Sequence, residues 1–372
     1  MLQIKVCHMT SAHQQEDTRI FHNECVSLAK AGYKTYLVSC GRTYEKMGVH
    51  IIGVGKPNRK RLARMIKTSR QVYLRALKLD ADIYHFHDPE LLPYGLKLKR
   101  AGKIVIFDSH ESTAEAILEK AYIPLFVRKM TCKLFSMYQK RVCKRIDAVV
   151  TVTPSLTRFF ERISSNVVEV RNYPIFDECH FNNVQKERRI AFVGGVTKQW
   201  NHHNILAALE KTPDCTYCLC GPCDKEYLNE LKKMKAWNQV NYMGEIPHSQ
   251  VNELLASSTI GVALLQPGEN TDWKNGTMGN TKIFEEMMAG LPIVCTDFIL
   301  WKELVDECQC GICVQPDNPE DIFLAISYLL NHPKEALRMG MKGKKAVKEK
   351  YCWEKGMIPL LDLYNMLSHS AK

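Results

Sequence analysis

The feature that most constrains this fold is an alternation of short apolar runs with helical segments, which occurs twice along the 372 residues. In the first half, five runs are strand candidates: 3–8, 35–40, 83–87, 103–108 and 148–153. A helical segment such as 19–32 follows the first of them and ends on Gly32, as helices often do. Apolar strands separated by helices are typical of a parallel sheet covered on both faces.

The same alternation begins again in the second half of the chain. Its strand candidates are 189–195, 216–221, 240–244, 260–265, 292–296 and 311–315. The two halves join near 170–178. We therefore predict an α/β protein with two Rossmann-like domains, 1–175 and 176–352, whose parallel sheets face each other across a cleft. A terminal helix, about 353–372, is expected to pack back on the first domain.

The composition and the first residues of the chain indicate the compartment in which the protein is found. No apolar run approaches the roughly 20 residues that a membrane-spanning helix needs. The first residues lack an apolar stretch followed by a small-residue cleavage site, so we expect no secretory signal. The 15 cysteines are then reduced thiols rather than a disulfide framework. These observations predict a cytoplasmic protein.

Charge is divided unevenly between the halves. Residues 1–175 carry 30 Lys and Arg against 15 Asp and Glu, whereas residues 176–372 carry 21 against 25. Much of the excess lies in two basic helical stretches, 58–80 and 124–147. Apolar side chains interleave with the cations in the second stretch, which fits either a solvated face over a core stripe or an anionic membrane surface. Nucleic acid is not favoured, because no nucleic-acid-binding motif is present.

Polar residues follow several strand candidates of the first half. Ligands of an open α/β sheet bind beyond the carboxyl ends of its strands, so these residues are candidates for one binding edge. They are Asp17 and Arg19 after the first run, His87, Asp88 and Glu90 after the third, and His110 and Glu111 after the fourth. Helix capping and satisfied loop polarity are the alternative explanation for each group taken alone.

The stretch GTMGNTKIFEEMMAGLP, residues 276–292, predicts a phosphate site in the second half. Gly276 and Gly279 allow a close backbone approach, and Asn280 is a good helix N-cap. Amides from Thr281 onward then face an anion, and Lys282 adds a cation. Glu285, one turn further on, can accept two hydroxyl hydrogen bonds, which suits a ribose or another sugar. The pattern indicates a nucleoside diphosphate that carries a sugar.

Several motifs resemble glycosyltransferase family 4, the retaining enzymes of the GT-B fold. DTRIFH, HFHDPELLP and KIFEEMMAGLP are the most specific, and IFDSHE, VTVTP, VRNYP and FVGGVTK occur between them in the expected order. The closest likeness is to the branch that builds bacterial surface polysaccharides. The resemblance implies an acceptor-binding first domain, a second domain that holds a nucleotide-sugar donor, and no metal requirement.

The resemblance also implies residue roles. Glu285 matches the glutamate that holds the donor ribose, and His110 matches a histidine near the reacting carbon; these two are the catalytic candidates. Retention in this family is usually assigned to a front-face displacement in which the leaving phosphate takes the acceptor proton. The donor-binding candidates are Gly194, Gly195, Lys198, Thr277, Gly279, Asn280, Thr281, Lys282 and Glu285. The acceptor-side candidates are Asp17, Arg19, His87, Asp88, Glu90 and Glu111, and no metal ligand is expected.

The chain departs from the family at three positions. Thr277 occupies the position of another glutamate, while Trp200 and Asn201 replace a basic residue and a glycine. Lys198 or Lys282 is expected to substitute for the missing cation. Two other functions stay open. One is a GT-B nucleotide-sugar 2-epimerase, which a product assay would distinguish; the other is a non-catalytic binding or assembly protein, which Thr277 and Trp200 keep open.

Two other clusters are given non-catalytic explanations. The cysteines of 215–223 are interpreted as buried structural thiols rather than a zinc site. The pair at 202–203 is expected on a helix surface.

The sequence thus predicts a glycosyltransferase that uses a UDP- or GDP-linked sugar as co-substrate. We expect a lipid-linked saccharide acceptor and a peripheral position at the inner face of the cell membrane.

Overall fold

The computed structural model describes residues 3–56, 63–109, 124–177, 185–268 and 271–370, which form two compact units. Unit 1 contains the chain up to Asn172 together with the chain from Met357 onward, and unit 2 runs from Tyr173 to Gly356. Both boundaries lie within a few residues of the positions expected from sequence. Tyr173 belongs to unit 2 because its ring packs edge-on against that of Phe284, with 4.8 Å between the centroids.

The sheet of unit 1 has eight strands among the described residues. They are β1 (Lys5–Met9), β2 (Lys34–Ser39), β3 (Tyr44–Lys46), β4 (Val49–Gly53), β5 (Ile83–Phe86), β6 (Ile104–Ser109), β7 (Ala148–Thr151) and β8 (Val167–Glu169). Their spatial order is β3-β4-β2-β1-β5-β6-β7-β8, and all neighbours are parallel except β3 and β4. The order reverses direction between β1 and β5, which makes their carboxyl ends the expected ligand edge.

Helices cover this sheet. The first, α1, is π-helical over Thr18–Cys25 and α-helical over Val26–Lys30. The second, α2, likewise changes from π-helical Arg64–Thr68 to α-helical Ser69–Leu77. The others are α3 (Leu92–Arg100), α4 (Leu125–Cys143), α5 (Pro154–Glu161) and the terminal α14 (Ile358–Ser370). The terminal helix belongs to unit 1, where its Asn365 Oδ1 accepts a hydrogen bond from the Tyr33 hydroxyl at 2.9 Å.

Unit 2 is a parallel sheet with helices between its strands. The strands are β9 (Arg189–Val193), β10 (Thr216–Cys220), β11 (Val240–Gly244), β12 (Ile260–Ala263), β13 (Ile293–Thr296) and β14 (Gly311–Val314). The helices are α6 (His202–Leu209), α7 (Lys225–Lys232), α8 (His248–Ser257), α9 (Thr281–Met288), α10 (Ile299–Cys308), α11 (Pro319–Asn331), α12 (Pro333–Glu349) and α13 (Trp353–Gly356). The spatial order β11-β10-β9-β12-β13-β14 is the Rossmann order, with its switch between β9 and β12.

Burial explains why the apolar runs are continuous rather than alternating. All residues of β5, β7, β12 and β13 are buried, since helices cover both faces of each sheet. The eleven runs identified from sequence are all strands. Three short strands were not predicted: β3 is largely exposed and polar, while β4 and β8 are half-buried and five and three residues long.

Among the residues that the structure describes, no helix combines the length and apolar character needed to cross a membrane.

Candidate functional site

The switch point of unit 2 brings a glycine turn against the start of a helix. Gly194 follows β9 with φ of 139°, a conformation that favours glycine. A Cβ at this position would lie 2.1 Å from Cε of Lys282 and 2.5 Å from its Nζ. Gly194 therefore leaves the space through which the Lys282 side chain passes. Gly195 has no comparable constraint, because a Cβ there would make only ordinary contact.

Lys282 lies in the first turn of α9, where its ammonium group is held by aromatic rings. The Asn280 side chain caps the helix and accepts a hydrogen bond from the Lys282 amide at 3.1 Å. Nζ of Lys282 lies 4.3 Å from the centroid of the Trp200 ring and 5.5 Å from that of Phe192. Burial lowers the pKa of Lys282, while Glu285 and Glu286 act in the opposite direction. The first turn of α9 thus combines a cation with helix-terminal amides, which suits an anion.

The two departures that precede α6 have structural explanations. Trp200, in place of a basic residue, is a buried platform for the Lys282 cation. Asn201, in place of glycine, has φ of 49°, a left-handed conformation that asparagine tolerates better than most residues. Its Nδ2 donates to the Leu264 carbonyl at 3.0 Å, and its Oδ1 accepts from Gln266 at 2.9 Å. Asn201 therefore joins the ends of β9 and β12.

Lys198 points to a different partner from the one that the sequence suggested. Its ammonium group lies 2.7 Å from a carboxylate oxygen of Glu230 and 5.6 Å from the centroid of the Tyr227 ring. Both charged side chains are more than half exposed. Of the two lysines expected to replace the missing cation, Lys282 lies beside Gly194, whereas Lys198 pairs with Glu230. A donor-binding role for Lys198 stays a prediction.

The remaining donor candidates lie on the turn before α9 and on its first two turns. The Thr277 hydroxyl accepts a hydrogen bond from the Gly279 amide at 3.1 Å, and the Thr277 carbonyl accepts one from Trp301 Nε1 at 2.7 Å. These bonds fix the turn that leads to Asn280 and Thr281. Glu285 is half-buried and lies one turn beyond Thr281, as the sequence predicts for a ribose ligand. Its role stays a prediction.

In unit 1, Asp88 follows β5 and organises the loop after β1. Its buried carboxylate accepts hydrogen bonds from the Ser11 amide and from the Thr10 hydroxyl, the latter at 2.9 Å. His13 Nε2 lies 3.4 Å from the other carboxylate oxygen. Glu90 lies beside this loop, with Arg64 Nε 3.6 Å from its carboxylate. Asp88 therefore positions the loop between β1 and α1.

Asp17 is the N-cap of α1. Its carboxylate accepts hydrogen bonds from the amides of Arg19 and Ile20 at 3.0 and 2.9 Å. Burial raises the pKa of Asp17, but the hydrogen bonds from His13 and the Ile20 amide outweigh it and lower the value to about 2. About a quarter of the side chain stays exposed to solvent, and its acceptor-side role stays a prediction.

Arg19 is buried among acceptors of the protein itself. Its Nε and Nη2 donate to the two oxygens of Asp108 at 2.8 and 3.1 Å, a bidentate pair. Its Nη1 donates to the Val170 carbonyl at 3.0 Å and to Asn172 Oδ1 at 2.6 Å. Burial lowers the pKa of Arg19, and the charges of Asp108 and Glu24 more than compensate. Arg19 joins α1 to the ends of β6 and β8.

The acceptor-side candidates thus fall into two groups. Arg19, His87 and Asp88 are buried at 7, 3 and 2% exposure and contact protein groups, so they support the edge rather than face solvent. Asp17 and Glu90 are partly exposed. His110 and Glu111 lie outside the described residues.

Family models and solved structures agree on what kind of protein this is. The model described as Glycosyltransferase Family 4 matches residues 18–171, and the one described as Glycosyl transferases group 1 matches residues 177–346. The chain is a glycosyltransferase of the family 4 type. Together the two matches span most of this glycosyltransferase. No curated protein sequence matches it at a significant level.

Similar solved structures extend over the whole length of this glycosyltransferase. A glycosyltransferase from Rickettsia africae has 14% identity and a TM-score of 0.71, with 99% of each chain covered. Sucrose-phosphate synthase from Thermosynechococcus elongatus has 15% identity and a TM-score of 0.69, covering 99% of this chain and 100% of that one. The HepE protein of Anabaena has 11% identity and a TM-score of 0.69, covering 98 and 100%. At these identities the similarity establishes the GT-B fold.

Sequence reasoning missed a buried carboxylate in this glycosyltransferase. Glu286, next to Glu285, is 2% exposed, and neither carboxylate oxygen has a hydrogen-bond partner. A Cβ on Gly261 of β12 would lie 2.7 Å from one of these oxygens. Burial raises the pKa of Glu286 well above its usual value, although Lys282 acts in the opposite direction. The signal was a second glutamate in a stretch whose neighbours, Phe284 and Met287, are apolar.

A histidine of unit 2 was also placed wrongly. His202 was expected on a helix surface, but it is fully buried and its Nδ1 lies 2.9 Å from the Tyr217 hydroxyl. Burial lowers the pKa of His202 to about 3, so the imidazole is neutral. The expected buried thiols are confirmed for Cys215, Cys218 and Cys220, whereas Cys223 is half-buried.

A group of buried polar residues in unit 1 was missed, apart from His87, which the sequence analysis placed on the acceptor side. His8, His85 and His87 share one face of the sheet, and Glu24 of α1 packs against them. The alternate histidines in HFH, next to a strand that also carries a histidine, were the available signal. Their proximity depends on the pairing register of β1 and β5, which the sequence does not give.

Proposed function

We propose that this glycosyltransferase moves a sugar from a UDP- or GDP-linked donor to a lipid-linked saccharide with retention of configuration, in the synthesis of a surface polysaccharide. The observation that carries the donor assignment is the Lys282 ammonium, held over Trp200 beside Gly194 in the first turn of α9. Its position, at the switch point of a Rossmann-type sheet, is where ligands of such sheets bind.

A diphosphate at this point would meet positive charge from two sources. Backbone amides in the first turn of α9 carry partial positive charge, and Lys282 adds a full one. The Lys282 side chain is stacked on Trp200 and partly buried. It therefore loses less conformational entropy on binding a phosphate than a freely mobile lysine would. We propose that these groups neutralise the leaving diphosphate without a metal ion.

Glu285 is the proposed ligand of the donor ribose. It lies one helical turn beyond the α9 amides, and a carboxylate accepts hydrogen bonds from both hydroxyls of a ribose. The Thr277 hydroxyl is the proposed contact to the transferred sugar, where relatives have a glutamate. The proposal of retention rests on the family resemblance. In that mechanism the protein positions the reactants and stabilises charge, and the leaving phosphate takes the acceptor proton.

Two similar structures support the substrate classes. The HepE protein of Anabaena was crystallised with UDP and glucose, which favours a UDP-linked donor. WaaG, with 11% identity and a TM-score of 0.65, is a glycosyltransferase of lipopolysaccharide biosynthesis, which favours a surface polysaccharide role. Neither similarity is close enough to transfer a specific sugar.

Helix α4 supports a peripheral position on an anionic membrane. Phe126, Leu134 and Met137 are 77, 59 and 60% exposed on this helix. Lys129 and Lys133 are exposed beside them. An exposed helix that mixes large apolar side chains with cations suits the interface of an anionic bilayer, where each well-placed cation contributes about 1 kcal/mol.

The donor proposal is tested by calorimetric titration of UDP and GDP into three proteins. Wild type should bind one of the two nucleotides, Lys282→Ala should bind it about tenfold or more weakly, and Lys198→Ala should bind it normally. Lys198→Ala is the matched control, because this lysine of the same unit is paired with Glu230. The assignment of Lys282 would be contradicted if both substitutions weakened nucleotide binding equally, or if neither substitution weakened it.

The ribose proposal needs a ligand-side control. Wild type should bind UDP more tightly than 2′,3′-dideoxy-UDP, or GDP more tightly than its dideoxy form, by about ten- to hundredfold in affinity. The difference is expected because the dideoxy forms lack the hydroxyls that donate charge-assisted hydrogen bonds to Glu285. In Glu285→Ala this preference should vanish. A preference that survives the substitution would show that another group holds the ribose.

Membrane binding is tested by co-sedimentation with vesicles of phosphatidylcholine alone or mixed with phosphatidylglycerol. Wild type should sediment with the anionic vesicles, and Phe126→Ser/Leu134→Ser should not. The matched control is Leu337→Ser/Met341→Ser on the basic helix α12 of unit 2, whose side chains are each 57% exposed. If both double variants sediment like wild type, α4 is not the membrane contact.

A further inference from the structure

Three histidines of unit 1 are brought together by strand register. His8 of β1 is paired with His85 of β5. His87 lies two residues beyond His85, and side chains at that spacing point to the same face of a sheet. The three imidazoles stack on one another, with ring centroids 4.6 to 5.2 Å apart. Each side chain is buried.

Glu24 of α1 points into this group. Its Oε2 lies 3.8 Å from His8 Nδ1, 3.8 Å from His85 Nδ1 and 3.9 Å from His87 Nε2. These distances are too long for hydrogen bonds, and Oε2 of this fully buried carboxylate has no hydrogen-bond partner. The other oxygen, Oε1, lies 3.1 Å from Arg19 Nε. One carboxylate oxygen is thus nearly equidistant from three imidazole nitrogens without bonding to any of them.

The geometry points to a binding site for one divalent transition-metal ion, formed by Glu24, His8, His85 and His87; we propose Zn²⁺ as its occupant. The four ligand atoms lie within 4.8 Å of one another. Ligands about 2.0–2.2 Å from a tetrahedral zinc would be about 3.3–3.5 Å apart, so small side-chain shifts would complete the site. Three nitrogens and one oxygen suit zinc better than magnesium or calcium, which prefer oxygen ligands alone.

Neighbouring side chains orient the histidines, as the groups around metal-binding histidines do in other proteins. His87 Nδ1 lies 3.2 Å from Asp108, and Arg19 holds Asp108 in place through two hydrogen bonds. A carboxylate on the far nitrogen of a ligating histidine fixes its orientation and raises its basicity. The Tyr364 hydroxyl lies 3.3 Å from His8 Nε2 and 2.9 Å from His85 Nδ1. His8 Nδ1 and His87 Nε2 lie 2.9 Å apart in a hydrogen bond, which a metal ion between them would replace. Metal binding would also require Tyr364 to leave His85 and accept the hydrogen bond of His8.

The site would be structural. Every ligand is 0 to 3% exposed, which leaves no open coordination position for a substrate. The ion would join β1, β5 and α1, and through Tyr364 it would also act on α14. The proposal concerns unit 1 alone and goes beyond the donor chemistry of unit 2. It differs from the sequence-based expectation that the protein has no metal ligand.

Because the site is buried, the full-length protein should be unfolded, freed of metal and refolded with Zn²⁺ under reducing conditions. After removal of excess zinc, elemental analysis should find about one zinc per chain in wild type and in the control His50→Gln. His50 is a suitable control because its partly exposed imidazole lies on β4 and pairs with Glu45 of β3, away from the proposed ligands. Glu24→Gln and His85→Gln should lose the zinc. Tyr364→Phe should keep it, because the hydroxyl is not a ligand.

X-ray absorption of the zinc-loaded wild type gives a second readout that needs no variant to fold. The first coordination shell should fit nitrogen and oxygen at about 2.0–2.2 Å, and a sulfur shell at about 2.3 Å would place the ion on thiols instead. Wild type that refolds without retaining zinc would overturn the proposal. Zinc retained equally in Glu24→Gln and His85→Gln would overturn it as well.

Discussion

Arg19→Ala gives the sharpest test of how unit 1 is held together. The guanidinium donates four hydrogen bonds, two of them to Asp108, and its Nε also lies 3.1 Å from Glu24. Both carboxylates are fully buried, at 0% exposure. The substitution leaves them near each other without the cation that compensates their charge. Removing one partner of such a buried ion pair costs about 3–5 kcal/mol.

That loss should appear as a large change in the melting temperature of unit 1. For a unit of this size, each kcal/mol shifts the melting temperature by about 2–4 °C, so we expect a decrease of about 6–20 °C. Arg19→Lys should be intermediate, because one ammonium group cannot replace the bidentate contact. Arg42→Ala, which removes an exposed arginine of the same unit, should change stability by less than about 0.5 kcal/mol.

The five tryptophans make a unit-specific assay possible, because all of them lie in unit 2. Their fluorescence reports the unfolding of unit 2, whereas hydrogen exchange at β1, β5 and β6 reports that of unit 1. Arg19→Ala should accelerate exchange in those three strands. If exchange and melting are unchanged while acceptor binding is lost, Arg19 is an acceptor ligand and the structural interpretation is wrong.

Three further predictions concern unit 2. The pKa of Glu286 is raised in the folded state, so as pH rises above about 4.5 this residue ionises first in the unfolded chain and the stability of wild type falls. Glu286→Gln should be as stable as wild type below that pH and more stable at pH 7, by about 1.4 kcal/mol for each unit by which the pKa is shifted. Urea titrations followed by fluorescence measure this difference. Gly194→Ala should fold but lose nucleotide binding in calorimetry, because its Cβ displaces Lys282. Asn201→Ala should be less stable than Asn201→Gly by about 1 kcal/mol in the same urea titrations, because only glycine adopts this φ freely.

Much of the fold could be predicted because the strands are buried on both faces and therefore appear as continuous apolar runs. The run 260–265, for example, needs no partner to be recognised as a core strand. β3 could not be recognised, since Glu45 and Lys46 are exposed and its stability comes from antiparallel pairing with β4. Pairing is a property of two segments together, which a single run does not reveal.

The candidate site likewise has local features that could be predicted and features that depend on contacts between distant segments, which could not. The N-cap Asn280 and the helix that follows it are local features, and sequence spacing was enough to predict them. Which lysine lies beside Gly194 is not a local property: Lys198 is closer in sequence, but its side chain extends to Glu230 on α7. Likewise, His87 was assessed only as a strand-end residue, and the register of β1 and β5 is what joins it to His8 and His85.

Unit 1 is made from two stretches of chain separated by the whole of unit 2, and this has a consequence for biosynthesis. When translation has produced the sheet of unit 1, the buried face around His8 and His85 still lacks Tyr364, which is synthesised after Gly356. Unit 2 is continuous and can fold as soon as it leaves the ribosome, whereas unit 1 must wait with polar groups uncovered. Chaperone dependence and premature degradation should therefore concentrate on unit 1, the unit that is made first and completed last.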